Sequence, residues 1–193
     1  GYIKIGRGNV APVTMNLIKL GIKHGICLGE RDEADIEGFW KEFDELIDLS
    51  ARSLKFRFDY ICSQPSNSAP FMYKNKSMRG GEFERDDCVY EVMKHGSLGL
   101  GYIGLAEMCQ ALFGKDFVDD EKVYKFALSV VKHIHDKAEY YSDKYDLNFG
   151  TYASPSESTC GTVITGNREI RGLREEFGTI ENVISAETRE KRK

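Results

Sequence analysis

Four hydroxyl residues crowd one short loop of this chain: Ser154, Ser156, Ser158 and Thr159, in the stretch YDLNFGTYASPSESTCGT from Tyr145 to Thr162. Before the loop, Leu147 to Tyr152 reads as a strand; after it a helix can start. Helix N-termini carry unpaired N–H groups and a partial positive charge, which together bind anions. Strand, hydroxyl-rich loop and helix start therefore spell a candidate phosphate site. The competing reading is a plain helix cap, with Ser156 or Ser158 accepting from a first-turn N–H and Glu157 facing the dipole. Glu157 would repel a phosphate and is better suited to orienting a backbone or sugar hydroxyl.

Other chemistry is weaker on residue grounds. Gly99, Gly101 and Gly104 fit GxGxxG, but no acidic residue ends a second strand some 20 residues on, as a dinucleotide site needs. Close backbone packing at a strand–helix turn accounts better for the glycines. Cys160 beside the loop and His95 before the glycine turn are the residue types of a nucleophilic pair, with nothing in the sequence to join them. His133 and His135 lie two apart on one helix, so they face different ways and cannot share a metal as an i, i+4 pair would. The five cysteines, Cys27, Cys62, Cys88, Cys109 and Cys160, are odd in number and contain no CxxC. That pattern argues against a structural zinc site and against a secreted disulfide framework, and fits a reducing cytoplasm.

The elements that must carry these residues follow from hydrophobic spacing. A short strand is expected around Val13 to Leu17, restricted to a start or an edge by Pro12. A long helix is expected from Asp32 to about Phe58, with Ile36, Phe39, Trp40, Phe43, Leu46, Ile47, Leu54 and Phe58 as its core stripe. Asp32, Glu33 and Asp35 are read into its first turns. Ser63 to Ser68 reads as a loop, Pro70 to Tyr73 as a short extended piece, and Lys74 to Asp86 as an exposed loop. From Gly96 to Gly114 the pattern is strand, glycine turn, helix. Another helix follows from about Asp119 to Ser142, and a last one from Asn167 to Phe177. Alternation of strands and helices predicts an α/β fold with largely parallel strands.

With 193 residues, 41% hydrophobic and 30% charged, the chain has the composition of an ordinary globular protein. Its net charge of −4 gives no basic excess for nucleic acid or an acidic membrane. The basic cluster Arg189 to Lys193 reads as a solvated tail. No apolar run approaches a membrane span, no signal peptide opens the chain, and no initiator Met precedes GYIKIGRGN, which suggests a processed or internal start.

Three blocks carry a family resemblance. RGNVAPVTMNLIKLGI, Arg7 to Ile22, resembles the "RGN…VT.NLPR.A" block of the catalytic subunit of anaerobic (class III) ribonucleoside-triphosphate reductases, which are glycyl-radical enzymes; Ile18-Lys19 replaces Pro-Arg. HGSLGLGYIGLAEMCQALFGK, His95 to Lys115, is similar to "GS.G.VGL.E…LFG". KYDLNFGTYASPSESTCGTVITGNREIRGLREEFGTI, Lys144 to Ile180, resembles "FG.YGTP.ESTTYKFAK…FG", with Cys160-Gly161 in place of Thr-Tyr. The resemblance covers nearly the whole chain. It implies part of a ten-stranded α/β barrel spanning residues 1–180, with 181–193 as a tail. It implies that Ser154, Ser156, Glu157, Ser158 and Thr159 form the substrate-phosphate loop, and that Asn16, or less directly Asn9, matches an Asn near the substrate ribose.

The implied activity is reduction of ribonucleoside triphosphates to deoxyribonucleoside triphosphates for DNA replication, through a thiyl radical generated by a stored glycyl radical. The family's thiyl cysteine precedes the RGN block; its zinc site and RVCGY-like glycyl site lie near the C-terminus. The segment is thus expected to bind no cofactor of its own and to be inactive alone. Implied partners are the triphosphate substrate, the remaining reductase segments, an iron–sulfur/S-adenosylmethionine activase and a second copy in a homodimer, with no membrane. The alternative from another class is a non-catalytic nucleotide-binding or assembly module derived from the same barrel.

Overall fold

The computed structural model describes residues 8–74 and 88–154. Three strands form one sheet in the order β1-β2-β3: β1 Asn9–Asn16, β2 Ser97–Ile103 and β3 Asn148–Ala153. The strands are parallel. The Ser97 N–H donates to Gly8 O at 2.7 Å where β1 and β2 begin, and the Ser154 N–H donates to Tyr102 O at 2.9 Å where β2 and β3 end. Among the described residues six α-helices connect the strands: α1 Leu17–His24, α2 Ile36–Cys62, α3 Pro70–Lys74, α4 Tyr90–Met93, α5 Leu105–Phe113 and α6 Glu121–Tyr145. This is the α/β alternation expected of the sequence, and parallel strands require such crossovers.

Several boundaries differ from the sequence expectation. The first strand lies earlier, Leu17 opening α1 rather than ending β1. Pro12 sits in mid-strand, which β1 tolerates at the edge of the described sheet. Asp32, Glu33 and Asp35 precede α2 instead of lying in its first turn; Asp35 caps it, its Oδ1 accepting from the Gly38 N–H at 2.9 Å. Pro70 to Tyr73 is helical rather than extended, with proline at the first helical position, where its missing N–H costs nothing. The expected loop at 75–86 and helix at 167–177 lie outside the described residues.

Contacts divide the chain into two compact units. The first comprises residues 1–15, 45–101 and 131–152. Within it Leu98 and Leu100 of β2, Leu54 and Phe58 of α2, and Ile134 and Ala138 of α6 are buried. The Tyr141 hydroxyl donates to Asp48 Oδ1 at 2.9 Å, and the Tyr141, Tyr145 and Phe149 rings pack together. The second comprises, among the described residues, 16–44, 102–130 and 153–154. Its core is aromatic: Phe39 contacts Trp40, Phe43 and Phe126, and Phe113 meets Phe126 edge-on. Helices α1 and α5 also pack here, closely enough that a Cβ on Gly21 would lie 2.8 Å from Met108 O.

Candidate active-site edge of the sheet

In parallel sheets ligands bind beyond the carboxyl ends of the strands, where helix N-termini point back at the loops. Here that edge is formed by Asn16 closing β1, Ile103 and Gly104 closing β2, and Ala153 and Ser154 closing β3. Two of the sequence-predicted site residues, Asn16 and Ser154, thus emerge at the same edge, on strands flanking β2. Asn9 opens β1 at the opposite end, roughly 23 Å away for an eight-residue strand. Asn16 therefore shares the edge with Ser154, and Asn9 does not. Ser156, Glu157, Ser158 and Thr159 lie outside the described residues, as does Cys160.

Asn16 is held by its own helix. Its Oδ1 accepts from the Lys19 N–H at 3.2 Å, making it the N-cap of α1. The amide is thereby oriented at the strand–helix junction. The Ser154 backbone is secured to the sheet through Tyr102.

The three glycines of the GxGxxG match have structural occupations. Gly99 and Gly101 leave room for the Tyr152 ring, which would stand 2.7 Å and 2.5 Å from Cβ atoms placed on them. Lying across β2, Tyr152 reaches β1, its hydroxyl 3.4 Å from Thr14 Oγ1. Gly104 adopts φ 78°, ψ 38° at the start of α5. The sequence reading did not foresee the contact between Thr14 and Tyr152. The available signal was two glycines at strand spacing, which announce a large side chain crossing from a neighbouring strand.

At the amino ends of the strands, Gly8, His95, Ser97 and Asn148 line an open cleft of about 530 Å³. His95 thus belongs to the amino edge of the sheet, and its suggested partner Cys160 is not described. Among the described residues, the metal-ligand types gather in threes only at His135, Asp136 and Glu139, all exposed on α6. No cysteine joins them, so these residues do not offer the donor set of a cysteine-rich zinc site.

The helices beside the carboxyl edge are fastened by a charged clamp. Buried His24, in the last turn of α1, places Nδ1 3.2 Å from Asp35 Oδ2 and Nε2 2.8 Å from Glu42 Oε2. Lys23 pairs with the same Glu42 oxygen at 2.6 Å. The Gly38 N–H, followed by His24, lowers the Asp35 pKa from its ordinary value of 3.8. Burial raises that of Glu42, but bonds from Lys23 and His24 outweigh it and leave it below 4.5. Depressed carboxylates contribute stability that is complete above their unfolded pKa values and is lost as pH falls through the folded ones. Urea midpoints should therefore hold level from neutral pH to about 5 and fall below about 4. Asp35→Asn should shallow that fall; an unchanged acid limb would remove the clamp from the account.

No helix among the described residues is long and apolar enough to cross a membrane. Residues 3–181 match the family profile of anaerobic ribonucleoside-triphosphate reductase. Proteins of that name from Escherichia coli (strain K12) and Salmonella typhimurium are 29% and 28% identical over 181 residues, 92% of this chain. The chain spans 23% of the length of each. The crystal structure of the anaerobic ribonucleotide reductase from Thermotoga maritima with citrate in the active site shares the fold, with a TM-score of 0.62 at 19% identity. The superposition covers 89% of this chain and 29% of that one. The α/β fold expected of part of a reductase barrel is thereby met. From the match over residues 3–181, the chain belongs to the anaerobic ribonucleoside-triphosphate reductase family.

Proposed function

We propose that this chain furnishes part of the catalytic barrel of an enzyme that reduces ribonucleoside triphosphates to deoxyribonucleoside triphosphates. On this reading the loop from Ser154 to Thr159 holds the substrate phosphates through hydroxyls and backbone N–H groups, and Asn16 stands near the ribose. The observation that carries it is the shared carboxyl edge, with Asn16 and Ser154 on strands flanking β2. Family membership supplies the substrate class. Radical chemistry, when present, comes from the complete enzyme: a glycyl radical, the iron–sulfur/S-adenosylmethionine activase that installs it, and a zinc site outside this segment. This chain's own residues bind and orient. The complete enzyme is a cytoplasmic homodimer on the same reading.

Two measurements test the proposal. In calorimetry with ATP and CTP, Ser156→Ala/Ser158→Ala should weaken triphosphate binding at least about tenfold, the equivalent of one or two hydrogen bonds to a charged group. Equal affinity in wild type and variant would take the loop out of the site. Incubated with activase and reductant, the 193-residue chain should yield no deoxynucleotide, and should gain turnover only with a polypeptide bearing the glycyl site. Triphosphate binding with no turnover even in that company would favour a non-catalytic module.

A further inference from the structure

Cys62 and Cys88 lie far from the carboxyl edge of the sheet in sequence, and the proposed reaction uses neither. Cys62 is the last residue of α2 and is buried, whereas Cys88 is exposed and directly precedes the approach to α4. Their backbones are brought together by an antiparallel bridge between Pro65 and Cys88. The Cys88 thiol donates to the Cys62 carbonyl oxygen at 2.8 Å. That oxygen is two bonds from the Cys62 Cα, so the Cys88 sulfur lies beside the Cys62 backbone. Cys62 also feels its neighbour electrostatically: beyond the larger effect of burial, Cys88 helps raise the Cys62 pKa to about 11. The other described cysteines differ. Cys109 is buried in α5 and Cys27 is exposed after α1.

We propose that Cys62 and Cys88 are a reversible dithiol–disulfide pair, oxidised by exchange with a small-molecule disulfide that enters at Cys88. The Cys88 thiolate attacks one sulfur of the small disulfide, forming a mixed disulfide and releasing one thiol. The Cys62 thiolate then attacks the Cys88 sulfur and expels the second thiol. Two protein thiols are oxidised to one cystine while the small disulfide is reduced to two thiols, with no other oxidant needed. The order follows from access. Exposed Cys88 meets the reagent first, and buried Cys62, which loses its proton to solvent as it attacks, acts as the resolving thiol within the pair. The bond formed ties the end of α2 to the approach to α4, both in the first unit. The pair stands apart from the proposed reaction and holds or fails independently of it.

The test uses the reduced 193-residue chain, freed of reductant, incubated with oxidised glutathione, quenched by alkylation and mapped by peptide mass spectrometry without reduction. The expected product is a Cys62–Cys88 cross-linked peptide, two hydrogens lighter than its parts, as the dominant disulfide. Dithiothreitol should return both thiols. In Cys88→Ser, an exposed position that leaves the core intact, Cys62 should remain alkylatable only after unfolding. In Cys62→Ala, Cys88 should stop at the glutathione adduct. Persistence of the Cys88–glutathione adduct in the wild-type chain, or dominant pairing of either residue with Cys27 or Cys160, overturns the proposal.

Discussion

Gly104→Ala should destabilise the chain by about 2–5 kcal/mol, the sum of a conformational and a steric cost. At φ 78°, ψ 38° the backbone is left-handed, a region that costs an L-residue with a side chain roughly 1–2 kcal/mol. The second cost arises because the new Cβ would overlap Ile18 Cγ1 and Cδ1 on α1. Forcing a methyl into a packed site typically adds about 1–3 kcal/mol. The two costs separate experimentally. In the double variant Gly104→Ala/Ile18→Ala the overlap is gone and the backbone penalty stays. The double variant should therefore lose less than the sum of the two single losses, by about 1–3 kcal/mol. Urea unfolding of the four proteins measures this. A Gly104→Ala loss under about 1 kcal/mol, or strict additivity, would mean that α1 and the β2–α5 turn give way easily. The site would feel the same change. Gly104 closes β2 at the edge where Asn16 and Ser154 emerge, and Ile18 lies two residues after Asn16 on the helix that Asn16 caps.

The chemistry of this edge was partly legible in the sequence. Ser154 just beyond a strand follows from local pattern, whereas Asn16, read inside a strand running to Leu17, instead caps α1. That the two share an edge is a matter of sheet order, which no local pattern states; the family resemblance carried that step. The glycines show the limit most clearly. GSLGLGYIG announces small residues at strand spacing and a turn. Which partner each glycine admits, the Tyr152 ring at Gly99 and Gly101 or Ile18 at Gly104, depends on residues roughly 50 or more positions away. The start of α2 was misplaced for a related reason. Asp32 and Glu33 have the charge of a first turn, but the Asp35 N–H donates to His24 O and the Asp35 side chain caps Gly38, so the chain turns before the helix begins. The extended piece expected at Pro70 to Tyr73 is a helix that the proline opens, at the position where its missing N–H costs nothing.

The aromatic stripe of α2 was legible as core, and its energetic weight gives the second large effect. Phe39 is fully buried, with ring centroids 5.5 Å from Trp40, 5.6 Å from Phe43 and 5.5 Å from Phe126. Phe39→Ala removes the ring that joins all three, so the vacated space cannot collapse from one side alone. Its cost should fall at about 3–5 kcal/mol, the range for aromatic truncation in a closed core. Phe39→Leu keeps most of the buried area and forfeits chiefly the ring geometry and some packing, so it should cost about 1–2 kcal/mol. The contrast is informative because Phe126 begins a chain of contacts: it meets Phe113 at 5.0 Å, in the last turn of the helix that Gly104 opens. If the cluster acts as one body, Phe39→Ala and Phe126→Ala should be strongly non-additive, the second truncation costing less once the first has opened the cavity. Urea unfolding with near-ultraviolet circular dichroism of Trp40 reads both quantities. Additive losses, or a Phe39→Ala cost near that of Phe39→Leu, would show that the stripe packs as separate pairs and that the strand–helix junction at Gly104 takes its support from α1 rather than from the aromatic core.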